Sequence, residues 1–420
     1  MHRIIYFSTL LFVILAGHNI AYASLPIGEH VTIDGNMRYR IEVDGKDFDN
    51  NTGLNENSLL RSQVGFRVQA SKSVNVRMKF KDSRFLGTTG SNSKSTSFID
   101  LQEGYILVNN PAGMPFDLQV GRYEMMYGRR RIQGNGNWNN FGPRTFDGGR
   151  LFFNICSIKI DMFYAKLIER GFFEQPAYTK DFYTNGDRIL LGTAGKMLDG
   201  MIQPLFTVNW DPVVENLQGI NYDNADFIMT PAVYSRYDIQ KLSLELDAAY
   251  QYGKKNDRDL SAWLFAFDAG FSPGYQLNPI IGAGVDITSG NKFDEDGKDY
   301  ADHVFYTPYM SRHAFRGFMD YFKDVRRGLI DSIMRIGLSP HKSTEIDVDF
   351  HNFRYFQDER YPGSSQSFTG LGQELDFRIR IELADGLKMD AVLCAFSAEK
   401  NWQPVNDIGL FGYAALTASF

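Results

Sequence analysis

"ELDFRIRIEL", Glu374 to Leu383, alternates without a break. Leu375, Phe377, Ile379, Ile381 and Leu383 fall on one parity, and Glu374, Asp376, Arg378, Arg380 and Glu382 on the other. Successive side chains of a strand point to opposite faces, so the stretch predicts one greasy face and one heavily charged face. A soluble sandwich and a membrane barrel both alternate in this way. The choice between them rests on the rest of the chain.

The same period of two recurs outward from this stretch. Val31, Ile33, Met37, Tyr39, Ile41 and Val43 oppose Thr32, Asp34, Asn36, Arg38, Arg40 and Glu42. Val64, Phe66 and Val68 oppose Gln63, Arg67 and Gln69; Val74, Val76, Met78 and Phe80 oppose Asn75, Arg77, Lys79 and Lys81. About eighteen such segments fit the chain, from 31–43 to 409–420 and including 116–127, 276–288, 343–356 and 371–384. Short turns such as 156–157 and 384–386 alternate with long polar loops such as 44–57, 128–146 and 289–326. That asymmetry and an even strand count predict an all-β fold, a transmembrane antiparallel β-barrel of the bacterial outer membrane. A closed barrel satisfies every strand hydrogen bond in lipid without leaving an edge.

The ends of the chain agree with this reading. Residues 1–23 read as a cleaved signal peptide: Arg3, an apolar run from Ile4 to Leu15, and the small-x-small site Ala21-Tyr22-Ala23. The run is shorter than the roughly 20 residues a spanning helix needs. Residues 24–420 are then expected to form a single barrel domain. The last segment alternates and ends on the aromatic Phe420, a pattern similar to the recognition signal of outer-membrane barrels.

The charged face must point inward, because Arg or Lys facing lipid at mid-membrane costs roughly 2–4 kcal/mol. About eighteen strands enclose a lumen too wide for side chains alone to fill, which implies an aqueous pore. Arg38, Arg40, Arg67, Arg77, Arg378 and Arg380 are expected to line it by parity. The chain is mildly acidic overall: without Arg3, 43 of its 44 basic residues remain against 50 acidic ones. That argues against a nucleic-acid partner. Cys156 and Cys394 stand far apart, in neither a disulfide framework nor a metal spacing. No cofactor is expected.

Val120 to Leu151, "VGRYEMMYGRRRIQGNGNWNNFGPRTFDGGRL", concentrates positive charge at Arg129, Arg130 and Arg131. The pattern G-R-x-x-x-x-Y-G-x-x-R-[LI]-x-G, then Trp, then R-x-F-D-G-x-R-L, resembles the alginate export porin family. Gly121, Arg122, Tyr127, Gly128, Arg131, Ile132 and Gly134 carry the first part; Trp138, Arg144, Phe146, Asp147, Gly148 and Arg150 carry the second. "VDITSGNKFDEDGKDY" from Val285 to Tyr300, "GFMDYF" from Gly317 to Phe322, and Arg61 with its strand also fit.

The resemblance extends over about two-thirds of the chain after the leader. It implies an eighteen-stranded barrel with an electropositive lumen, passing an acidic uronate polysaccharide without an energy source. It also implies that Arg122, Arg131, Arg144 and Arg150 belong to the constriction, with Asp147 pairing locally. Arg129 and Arg130 depart from the family, whose members commonly carry an acid there. The expected partners are an anionic oligo- or polysaccharide or other small anions, together with outer-membrane lipids and lipopolysaccharide.

Guanidinium groups hold carboxylates in a fixed fork and stay charged. The triple arginine reads as pore lining or as a loop contacting lipopolysaccharide phosphates. Trp138 is a candidate for stacking on a sugar ring or for loop packing. The acidic run Asp294, Glu295, Asp296 and Asp299 fails the EF-hand spacing, since Gly297 falls too early, and reads as a solvated loop. Ser311 and His313 are too close in sequence to suggest catalysis, and Asp349 with His351 reads as a pore-lining pair. A channel selective for anionic sugars leads, a general diffusion porin of weak selectivity is the alternative, and an occluded structural barrel is a third reading. Unpaired inward arginines favour the first; full pairing with acids favours the third.

Overall fold

In the computed structural model the described residues are 25–49, 51–87, 99–168, 188–211, 226–256, 258–292, 301–360, 366–403 and 407–420. The expected leader and the acidic run 294–299 lie outside them. A short strand β1 (Leu25–Ile27) leads into β2 (Val31–Gly45), β3 (Asn55–Gln69), β4 (Val74–Leu86), β5 (Asp100–Val108) and β6 (Asp117–Tyr123). Then come β7 (Phe146–Ile155), β8 (Ile158–Ile168), β9 (Arg188–Lys196), β10 (Ile202–Asp211), β11 (Asp226–Ile239), β12 (Leu242–Lys255), β13 (Arg258–Phe271) and β14 (Ile280–Thr288). The two-residue β15 (Ala301–Asp302) precedes β16 (Leu329–His341), β17 (Thr344–Arg360), β18 (Ser367–Ala384), β19 (Leu387–Ala398) and β20 (Gly409–Ser419).

Apart from β1 and β15, these make a closed antiparallel barrel of 18 strands. Each barrel strand pairs with the next, and β20 returns to β2 with Arg38 opposite Thr417 and Arg40 opposite Ala415. Phe420 seals the seam, exchanging backbone hydrogen bonds of 2.9 and 3.0 Å with Gly35. The ends of the named segments match within four residues: 371–384 begins at Ser367, and 116–127 stops at Tyr123.

The alternation has the expected sense. Leu375 is 50% exposed on the outer wall, whereas its neighbour Glu374 is 1% exposed within. The inside differs from a wide aqueous bore. Residues 124–145, between β6 and β7, and residues 303–328, between β15 and β16, fold into the lumen. They join each other through the parallel bridge Gln133–Tyr309 and through Gly134 N–H donating to the Tyr309 carbonyl at 2.8 Å. Phe318, Met319 and Phe322 of the second loop pack on Phe353, Leu371, Val392, Phe396 and Phe411 of β17 to β20. The apolar side chains at these inward positions seat the loop. Period-two reasoning gives the parity of these residues but not what they pack against.

Candidate functional site

The first inward loop is pinned at one side of the barrel by ion pairs. Arg131 is buried; its Nε donates to Asp247 at 2.9 Å, its Nη2 to Asp268 at 3.1 Å, and its Nη1 to Asp286. Those acids stand on β12, β13 and β14. Burial works against the Arg131 charge, but the three carboxylates outweigh it and hold its pKa above the ordinary value. Arg129 reaches Glu245 at 2.5 Å and Asp268 at 2.6 Å. Arg130 is exposed, in the left-handed region at φ 71°. Its carbonyl accepts from Ser311 N–H of the second loop at 3.0 Å. The triple arginine thus separates into one buried anchor, one paired group and one exposed group.

The loop then crosses to the opposite wall, where its carbonyl oxygens meet cations. Arg61 Nη1 donates to the carbonyls of Asn137, Asn139 and Gly142 at 3.0, 3.2 and 3.0 Å. Arg38 Nη1 reaches Asn137 O at 3.4 Å, Arg40 Nη1 reaches Trp138 O at 2.9 Å, and Lys81 reaches Phe141 O at 2.6 Å. Arg40 also pairs with Glu42. Arg38 and Arg61 face each other directly in the β2–β3 register, both buried, and neither is in an ion pair among the described residues. Their Nε atoms and Arg38 Nη2 have no hydrogen-bond partner among the described residues. Like charges placed opposite each other destabilise a strand pair, and a buried donor left unmade is costly. Arg144 on the loop donates to Gly134 O at 3.0 Å and lies 5.4 Å from the Tyr309 ring centre. Burial depresses its pKa, and Arg312 nearby adds to that.

The other expected lining residues divide into three groups. Arg77 holds Asp34 at 2.6 Å and Glu103 at 3.1 Å. Arg378 holds Asp390 at 2.7 Å, and Arg380 holds Asp347 at 2.7 Å and Glu345 at 2.9 Å. Arg150 pairs with Asp161, whose carboxylate also accepts from Tyr127 Oη at 2.5 Å. Arg67 is exposed, 3.9 Å from Asp34. Arg122 and Asp147 correct the expectation drawn from the resemblance. Arg122 shares parity with the exposed Val120, while Gln119 and Tyr123 are buried on the inner face. The alternation therefore turns Arg122 outward, where it forks Asp147 at 2.7 and 2.8 Å. Gly121 between them has φ +131° and no room for a Cβ, which would stand 2.1 Å from Gly104 O. A motif carries residue identity but not the face it lies on.

Trp138 is packed: Arg40 lies 4.3 Å from its ring centre, the His313 ring 3.6 Å, and Tyr413 and Phe411 edge it at 5.9 and 6.2 Å. It seats the loop and offers no open platform to a sugar.

The residues that pattern reading left unassigned are the acids that receive the loops. Asp247, Asp268, Asp286, Glu374 and Asp376 all lie on inward parity, which was the available signal. Glu374 accepts from Met319 N–H at 2.8 Å and Asp376 from Phe318 N–H at 3.3 Å. Gly317 is needed there, with φ +71° and a Cβ that would fall 2.4 Å from the Glu374 carboxylate. Glu374, Asp376 and Cys394 bring ligand atoms within 4.8 Å of one another. Two of the three are already committed to loop amides, so the cluster reads as a latch. His351 Nδ1 bonds Asp331 at 2.7 Å rather than Asp349, which lies 3.5 Å from Arg335.

A closed antiparallel barrel with an apolar outer wall, a charged inner wall and two inward loops defines an outer-membrane channel fold. The family model for alginate export matches residues 29–170, a shorter stretch than the motif resemblance, and supports that resemblance. No curated protein matches the chain in sequence. Solved structures agree in fold across nearly the whole length. OccAB1 of Acinetobacter baumannii is 10% identical at a TM-score of 0.60, covering 94% of this chain and 98% of its own. OprD of Pseudomonas aeruginosa is 12% identical at 0.59, covering 94% and 95%. OccK5 (OpdH) of Pseudomonas aeruginosa is 12% identical at 0.57, covering 93% and 98%.

Proposed function

We propose that this barrel is a passive outer-membrane channel for anionic sugars or segments of an acidic polysaccharide. The observation that carries the reading is the Arg38–Arg61 pair, buried, directly opposed and without an ion pair among the described residues. Loop carbonyls take part of the role a carboxylate would fill, and a passing carboxylate is a stronger acceptor for the same guanidinium forks. Exchange between weak and strong acceptors suits conduction, which needs sites that both attract and release. Arg144 and Arg130 extend the uncompensated charge along the first inward loop.

A general diffusion porin of weak selectivity is the second reading, favoured by an inner wall that carries both signs of charge, with acids such as Asp34, Asp268, Asp286, Asp347 and Asp390 beside its arginines. The reversal potential of the refolded barrel in a planar bilayer under a salt gradient separates the two. Anion selectivity that falls in Arg38→Gln/Arg61→Gln is expected. Cation selectivity of the wild type, or selectivity unaffected by the double change, returns the protein to the weakly selective class.

A further inference from the structure

We infer that the short-turn end of the barrel carries a separate docking site for a carboxylate-bearing sugar unit; this rests on the anionic-sugar reading above. A cavity of about 480 Å³ opens along the inner ends of β5 to β10, roofed by Tyr127 of the first inward loop. That volume falls within the ~300–1,000 Å³ typical of small-ligand sites. Its walls include Tyr105, Phe152, Gln119, Gln203, Lys159 and Lys196.

Lys159 and Lys196 are direct cross-strand partners on β8 and β9. Both are exposed, and among the described residues no ion pair claims either. The carboxylates that also line the cavity are already engaged. Asp161 is held by Arg150 and Tyr127, and Asp117 accepts from Asn110 N–H at 3.0 Å. Two like charges held opposite each other, with the nearby Asp161 committed to Arg150 and Tyr127, are relieved by an incoming anion. Tyr105 and Phe152 supply apolar ring surface of the kind a sugar face covers, and Gln119 and Gln203 supply amides for hydroxyl groups. A simple inorganic anion would use the lysines alone, so the aromatic and amide walls assign a sugar acid.

The cavity lies at the end bearing the short turns, which in outer-membrane barrels face the periplasm. The site therefore loads from the periplasmic side, below the constriction formed by the first inward loop.

Isothermal titration calorimetry of the detergent-solubilised, full-length barrel with trigalacturonate tests this, with maltotriose as the neutral control. The wild type is expected to bind the acid and not the neutral trisaccharide. Lys159→Ala/Lys196→Ala is expected to weaken binding by about tenfold or more. Lys159→Arg/Lys196→Arg is expected to retain it, which separates charge from folding. Equal binding by the wild type and the alanine pair, or equal binding of maltotriose, overturns the site. Calorimetry does not depend on conduction, so a cation-selective channel would defeat the function proposed above and leave this measurement to stand or fall alone.

Discussion

Arg131 shows how differently adjacent, identical residues are used. Parity and motif placed it inside, but its three acid partners stand on strands more than a hundred residues away, where no local pattern reaches. Removing one partner of a buried ion pair costs about 3–5 kcal/mol, because the remaining charges stay unmatched. Arg131→Met is therefore expected to release the loop, seen as higher single-channel conductance and a lower thermal midpoint. Unchanged conductance would mean that the loop is held elsewhere.

His313 makes a second residue-scale prediction. Burial against Trp138 pushes its pKa down from 6.5 to about 4, and Asp320 at 3.3 Å only partly opposes this; Lys46, Arg312 and Arg40 add to the depression. The docked loop therefore refuses a proton that the released loop accepts. Docking is at full strength above pH 6.5 and weakens as pH falls toward 4, by up to about 1.4 kcal/mol per unit. Conductance should rise across that window, and His313→Gln should flatten the rise. An identical pH response in the variant would place the titration in other groups.

At the scale of elements, strands and loops were unequally legible. A strand in a membrane barrel announces itself, because one face meets lipid and the other does not. Glu374 to Leu383 could be read from parity alone. Residues 124–145 and 303–328 carry no period, and their inward course follows from partners contributed by strands all around the barrel, from Arg61 on β3 and Asp161 on β8 to Asp286 on β14 and Glu374 on β18. The same gap explains Arg122: the motif named it, whereas the parity of Val120 and Tyr123 on its own strand had already turned it outward. The two loops act as one unit through the Gln133–Tyr309 bridge. A Gln133→Cys/Tyr309→Cys pair is expected to cross-link under oxidation and hold the channel at low conductance, with reductant restoring the wild-type level. Failure to cross-link in the native barrel would show that the loops do not stay paired in the membrane.

The whole molecule inverts the usual order of burial, with its outer wall apolar and its inner wall charged. The exposed ring includes Leu375 and Phe377 on β18, Leu393 on β19, and Met334 and Ile336 on β16. In water this surface would be a liability; in a bilayer it is the solvent contact that makes the barrel stable. Leu375 opens the apolar outer run of β18 that continues through Phe377, Ile379, Ile381 and Leu383, so an arginine there meets hydrocarbon at a cost that rises toward roughly 2–4 kcal/mol with depth. Leu375→Met keeps the apolar contact and nearly the volume, and should cost less than about 1.5 kcal/mol. Folding of both variants into lipid vesicles along a urea gradient reads the difference directly. A Leu375→Arg barrel as stable as Leu375→Met would mean that this wall does not face lipid. The inward assignment of Glu374, Asp376, Arg378 and Arg380 would then fail with it, because one parity decides both faces.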